Sequence, residues 1–574
     1  MSDDEFQLRL GRIRSRGTGG PRTFVGEALA AAGRAGGLYR RRAQSGSTFG
    51  RGRAASLRAQ HGLGRRARGA VIKARVVRQA GGKGRLGLHL DYLQREGVTQ
   101  DGERGRLFDA AGDEADGKAF ASRCADDRHH FRFIVSPDDA EQLTDLKAYT
   151  RDLMRQAEVD LGSRLDWVAV DHWNTGHPHI HVLVRGRGED GADLVISRDY
   201  IREGLRARAG QLVTLELGPR TDADLRKGWE QQVRADRWTA LDRSLAAGAS
   251  EEDGLVDLRP PGVKRPDALL SAKIARARKL QALGLAQEVR AGRWRIAPDA
   301  EPTLRALGQR NDVIARIHRA LGEGDLERDP ARFVVDGAPP ERLVGRLAGR
   351  GLHDELAGSG YAVIDGVDGR VHHVRLQDLD DAADAKLGAI IEVRRSEWQG
   401  RPGRAVLAVR SDLSLAEQVS ADGATWLDRQ LVGSRPADLG AGGFAEEVRG
   451  ALSARVDHLA AGGLAQRSGA RVVFARDLLE TLRDRELQAA ARRLEQASGL
   501  SHQPVGEDGA VAGVYRQRLN LASGRFAMID SGLGFSLVPW RPEMERHLGR
   551  EISGVRQAGA GIAWSFGPKR GPSR

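Results

Sequence analysis

The chain contains 15 histidines among 574 residues, and four of them, His172, His177, His179 and His181, fall within ten residues, in DHWNTGHPHIH. Alternate side chains of a strand share a face, so His179 and His181 in HIHVLV point the same way, with Cα atoms roughly 7 Å apart. His172 closes the preceding strand, RLDWVAVDH, and the residues between it and His179 are enough to fold it back beside the pair. Three imidazoles can then share one cation. Three His without a fourth protein ligand leave positions for water or substrate, which is the arrangement of a catalytic rather than a structural metal. The competing reading is a set of partly exposed, inert histidines on an edge strand, and the H-x6-H-x-H spacing favours the metal. Imidazole suits Mn or Zn and phosphate chemistry often uses Mg, so the divalent ion is left open among the three. His177, in the loop before Pro178, is assigned a supporting contact, behind the ligands or to substrate. His129 and His130 start a neighbouring strand and are as readily an ordinary strand opening as part of the site.

A metal does not select a reaction; a nucleophile does. Of the six tyrosines, Tyr149 fits the apolar stripe of its helix, while Tyr39, Tyr361 and Tyr515 lie far from the cluster in sequence. Tyr92 differs, because HLDYLQREG puts it on a short helix after a glycine-rich turn, flanked by His89, Asp91 and Arg95. From the residues alone it is either a nucleophile or a core tyrosine, and the latter is the commoner event.

These side chains need a scaffold, and the sequence outlines one. AVIKARVVR reads as a strand, LGLHLDYLQREG as a short helix, and HHFRFIVSP as a strand stopped by proline. DDAEQLTDLKAYTRDLMRQAEVDLG reads as one long amphipathic helix through Leu143, Leu146, Tyr149 and Leu153. Two strands around WNTGHP, the strand LVIS and a helix from Ser197 towards Leu217 complete an α+β domain over residues 70–225, a largely antiparallel sheet flanked by helices. Residues 226–262 read as a helix and linker ending in DLRPPGVKRPDA, 263–335 as a helical, candidate winged-helix module, 336–413 as a small β-rich module, and 414–574 as an α/β module with a closing helix RPEMERHLGR. Gly284-Leu285-Ala286-Gln287 returns 179 positions later, and Thr303-Leu304-Arg305 returns 178 positions later. A duplicated helix–hairpin–helix unit would explain this, although Ala/Leu/Arg-rich text also yields such matches by chance.

Composition narrows the function classes. A single Cys124 excludes an internal disulfide scaffold and Cys-based zinc fingers, and the absence of a long apolar run argues for a cytoplasmic protein without membrane insertion. The net charge of +13 is uneven, with +14 over residues 1–80 and about −1 over the rest. Residues 1–69 are therefore expected to be a disordered basic arm that contacts nucleic acid, although Arg outnumbers Lys 81 to 10 and compositional drift could supply part of the excess.

HWNTGHPHIHV resembles the three-histidine motif of HUH endonucleases, and HLDYLQREG resembles the tyrosine-bearing segment of plasmid mobilisation relaxases, most closely those related to the T-DNA border endonuclease. The likeness covers residues 70 to about 225, with a long C-terminal extension of undefined role. It implies that Tyr92 is the nucleophile and that His172, His179 and His181 are the metal ligands. It also implies nicking of one DNA strand at a transfer origin, covalent attachment to the 5′ phosphate, and conjugative transfer with accessory relaxosome proteins and a secretion coupling protein. Some relaxases use a histidine nucleophile, which keeps His89 open, and Asp91 or Asp171 could orient a ligand or accept the tyrosine proton. Two alternatives remain: a non-enzymatic DNA-binding or partitioning protein with a structural His cluster, and a metal phosphodiesterase that uses water.

Overall fold

A computed structural model describes residues 51–52, 55, 66–78, 85–95, 98–173, 177–249, 254–260, 262, 267–335, 342–354, 356–377, 385–398, 401–469, 471–505, 509–557 and 561–565. Most of the expected basic arm, the glycine-rich turn before Tyr92 and residues 174–176 of the histidine loop lie outside the described residues. The chain is a mixed α/β structure of antiparallel sheets flanked by helices, as its residue patterns predict, and divides into two compact units, Met1–Arg305 and Ala306–Arg574. Among the described residues no helix is long and apolar enough to cross a membrane.

The first unit opens with β1 (Ala70–Arg78), α1 (Arg85–Leu93), α2 (Gly117–Arg123) and β2 (His129–Pro137). It continues through α3 (Leu146–Leu161), β3 (Trp167–His172), β4 (His179–Arg185) and α4 (Leu205–Leu217). The four strands form an antiparallel sheet in the order β1-β2-β4-β3. One face carries Phe131, Phe133, Val135, Trp167, Ala169, Ile180, Val182 and Val184, which pack under α3 and α4. On the other face, Val168, Val170 and Leu183 pack under Leu86, Leu90 and Leu93 of α1 and Phe120 of α2. That i, i+4, i+7 leucine stripe is why a nine-residue helix is stable here: it buries one face completely. Buried Cys124 belongs to the same layer, its thiol pushed up to about 12 by burial.

The long helix expected over residues 138–162 is divided. A 3-10 turn, Ala140–Gln142, precedes α3, and the Asp145 carboxylate caps the backbone N–H groups of Lys147 and Ala148. A side chain that satisfies these otherwise unbonded donors fixes the helix start at Leu146, so Leu143 packs from outside the helix.

The remainder of this unit is a second core. It comprises α5 (Asp222–Arg234), α6 (Ala240–Ala247), β5 (Val256–Asp257), α7 (Ala268–Ala282), β6 (Ala286–Arg290), β7 (Arg293–Ile296) and the start of α8 (Ala300–Glu323). Residues 226–262, expected to be a helix and linker, supply Trp238, Leu245, Val256 and Leu258 to the core around Ala277, Leu280, Trp294 and Leu304.

The second unit contains a six-stranded sheet built from β8 (Phe333–Val334), β9 (Leu343–Asp354), β10 (Ser359–Gly366), β11 (Val371–Leu376), β12 (Ile390–Trp398) and β13 (Arg401–Ser411). There follow α9 (Leu415–Ser420), α10 (Trp426–Val432), α11 (Gly443–Ala461), the hairpin β14 (Ala465–Ser468) and β15 (Arg471–Phe474), and α12 (Leu478–Ser498). A five-stranded antiparallel sheet from Ala510 to Ser565 ends the unit. The closing helix expected at RPEMERHLGR is a 3-10 turn, Pro542–His547.

The repeat hinted at in the sequence is explicit in the geometry. Arg276 and Arg455 are each fully buried and grip Asp242 and Asp428 through two bonds of 2.8 and 2.9 Å. Each guanidinium also donates to three carbonyls, those of Val233, Ala235 and Arg237 in one case and of Val419, Ala421 and Gly423 in the other. Thr239 and Thr425 close identical capping boxes with those same aspartates. Ala-Asp-x-x-Thr-x-Leu-Asp-Arg, from Ala235 and again from Ala421, is the sequence that encodes this clasp.

Candidate metal centre

Register explains the histidine spacing. His172 lies directly opposite His179 across the β3–β4 ladder, and His181 lies opposite Val170, so all three imidazoles emerge on the face beneath α1. All three are buried, their ring centroids are 4.5–5.5 Å apart, and one nitrogen from each lies within 4.8 Å of the others. His179 Nε2 and His181 Nε2 face each other at 3.2 Å. Two nitrogens bound tetrahedrally to one ion at about 2.0–2.1 Å would stand roughly 3.3 Å apart, so the pair has the separation that a shared metal requires.

The outer nitrogens are oriented as they are around metals. His179 Nδ1 bonds the His177 carbonyl at 3.1 Å, and His172 Nε2 bonds the Leu93 carbonyl at 2.8 Å. A ring nitrogen that donates to a carbonyl fixes the tautomer and leaves the other nitrogen its lone pair. Burial, reinforced by the neighbouring His172, His179, His89 and Arg95, holds His181 well below its ordinary pKa and therefore neutral. The donor set fits a divalent transition ion.

The Leu93 bond also ties α1 to the trio, one residue beyond Tyr92. Tyr92 is half-buried among the leucines of its layer, and the Arg95 guanidinium stacks 4.5 Å above its ring. Arg95 Nη1 is buried without a hydrogen-bond partner among the described residues, a donor suited to an anion. His89, three residues before Tyr92, is buried, and burial together with the charges of Arg132, His130 and His172 lowers its pKa well below the usual value. It belongs to the electrostatic environment of the trio.

Other expected residues lie differently. His177 is exposed, and its carbonyl bonds His179 Nδ1. Asp171 alternates onto the opposite face, where it accepts a 2.7 Å bond from the Trp173 indole, so it orients no imidazole of the trio. Asp91 is exposed on α1, away from the leucine stripe. His129 turns to the Leu194 carbonyl on the α3 side of the sheet, whereas His130 shares the trio's face, and burial next to Arg132 lowers its pKa to about 3.

Sequence reasoning missed Arg132. Buried on the trio's face, it donates from Nε to His130 Nε2 at 3.1 Å, and it adjoins Arg75 across the β1–β2 ladder. Exposed Lys73 and Arg75 extend the positive charge along the open side of this face. The alternation of HHFRFIV, with His130, Arg132 and Ile134 on one side, was the available signal.

No curated protein and no solved structure matches the chain. A family model described as "Protein of unknown function (DUF3363)" matches residues 273–408 and 398–573, more than half of the chain but none of the trio-bearing sheet, and the protein belongs to that family.

Proposed function

We propose that the protein is a relaxase that nicks one strand of DNA by metal-assisted transesterification, with Tyr92 as nucleophile and His172, His179 and His181 as ligands. The observation that carries this reading is the bond from His172 to the Leu93 carbonyl, which fastens the Tyr92-bearing helix to the buried imidazole trio. A bound divalent cation would supply Lewis-acid polarisation of the scissile phosphate. The phenol oxygen of Tyr92 bonds to phosphorus as the bond to the 3′ oxygen breaks. The phenolic proton leaves and the 3′ oxygen departs as a hydroxyl, so the phosphotyrosyl link keeps the energy needed for rejoining. Arg95 places positive charge beside both the ring and His181, where charge develops in the transition state. Lys73, Arg75 and Arg132 line the same face and suit a phosphate backbone.

The test is incubation with a labelled single-stranded transfer-origin oligonucleotide and Mn²⁺. The reading expects a complex that survives SDS; cleavage without attachment would favour activated water, and binding without cleavage a non-enzymatic role.

A further inference from the structure

The two clasped modules share an interior but not a surface. GLAQ follows α7 and α11 at the same step, with Leu285 and Leu464 each returning an N–H to the helix, to Leu280 and Leu459 at 2.8 Å. Helix position and hairpin register pair Arg278 with Asp457, Arg290 with Ser468 and Arg295 with Val473. In the second copy, Asp457 neutralises the hairpin's Arg467 at 2.6 Å, and Val473 is 61 % exposed. In the first copy, Arg278, Arg290 and Arg295 are exposed and make no ion pair among the described residues. From Ala268 to Ile296 there are seven basic residues, of which Arg276, Lys279 and Arg293 pair with Asp242, Asp236 and Asp257, and one acid, Glu288, whose carboxylate is engaged by the Gly292 N–H of its own hairpin turn at 2.7 Å.

We infer that α7 and the β6–β7 hairpin of the first copy form a docking surface for duplex DNA, separate from the imidazole trio. The exposed side of α7 runs through Ser271, half-buried Ala275, Arg278 and Ala282, at i, i+4, i+7 and i+11, so small side chains let the helix approach closely while Arg278 carries charge. A helix about 10–12 Å wide fits a major groove about 12 Å wide. Arg290 at the hairpin tip and Arg295 on its outer side extend the charge beyond the helix towards flanking phosphates. A single-strand platform would instead need exposed aromatic rings for base stacking. Trp294, the one aromatic residue between Ala268 and Ile296, is 2 % exposed and anchors the hairpin to the core.

The second copy supplies the test, because its residues are already compatible with this scaffold. In the full-length chain, the triple variant Arg278→Asp, Arg290→Ser, Arg295→Val gives the first copy the second copy's surface. Binding to a short fluorescent DNA duplex of arbitrary sequence is then measured over a range of salt. Loss of three phosphate contacts lowers the log–log salt slope by roughly 2.7 and weakens binding by about tenfold or more at moderate salt. The single variant Arg295→Gln lowers the slope by about one. A control in the second copy, Arg471, Arg476, Arg492 and Arg493 all changed to Ser, removes the same formal charge and leaves the slope near wild type. An unchanged slope in the triple variant, or an equal fall in the control, overturns the inference. Adduct formation on a single-stranded oligonucleotide is a separate readout, so failure of this surface and failure of the Tyr92 chemistry are told apart.

Discussion

The Arg276–Asp242 clasp and the His172–His179–His181 trio are both buried polar clusters in the same unit, yet they are built in opposite ways. Arg276 has five N–H donors, two of them spent on Asp242 and the rest on three carbonyls, so the cluster closes on itself. The trio instead aims ring nitrogens at one another, with two Nε2 atoms 3.2 Å apart and outer nitrogens held by carbonyls. Burial of polar groups is therefore a poor guide to a functional site, and the balance of donors against acceptors is a better one. The clasp recurs unchanged in the second unit as Arg455–Asp428, as expected of scaffold.

The largest effect should come from opening the clasp. Arg276→Met strands a buried carboxylate and should cost about 3–5 kcal/mol, read by urea unfolding followed by tryptophan fluorescence. Adding Asp242→Asn, which keeps the helix cap and removes the charge, should recover part of that loss. A stability equal to wild type in the single variant would remove the contrast.

In the trio, His179→Gln should weaken divalent-metal binding about 100-fold or more in calorimetric titration, since even the outer partners of metal ligands are worth 10–100-fold. The metal-free protein should lose far less stability than Arg276→Met does. A trio whose loss unfolds the sheet without changing metal uptake would be a structural cluster.

The histidines of this face also set a pH signature that the clasp lacks. His89, His130 and His181 all have folded pKa values below the ordinary 6.5, mainly through burial. Below pH 6.5 the unfolded chain binds protons that these folded imidazoles refuse. Their contribution is thus intact above pH 6.5 and is lost as pH falls toward the folded value, about 3 for His130. Each imidazole should add about 1.4 kcal/mol per pH unit to the slope of the metal-free protein. His130→Gln, which retains an acceptor for Arg132, should remove one such increment, and unfolding at stepped pH measures it. The smallest effect belongs to Tyr92→Phe, expected to change stability by less than about 1 kcal/mol because the ring packing remains.

Much of the site was legible because a strand's period of two is rigid: HIHVLV fixes the face of His179 and His181, and the short loop returns His172 to the same register. The fold of that domain followed for the same reason, from apolar alternation in HHFRFIVSP and WVAVDH. What escaped was tertiary. Asp171 looked available until its strand parity was counted, and Arg132 was passed over because burial of a guanidinium depends on neighbours distant in sequence. The duplicated modules were visible only as GLAQ and TLR. Their shared motif from Ala235 and Ala421 is mostly polar, and without the Arg276 and Arg455 bonds nothing distinguishes its aspartates from surface acids.

The account is tested most directly by denaturing electrophoresis of the wild type, Tyr92→Phe and His89→Gln proteins after incubation with single-stranded transfer-origin oligonucleotides and Mn²⁺. It predicts an SDS-resistant DNA adduct for the wild type and for His89→Gln, and none for Tyr92→Phe. An adduct that persists in Tyr92→Phe would contradict it.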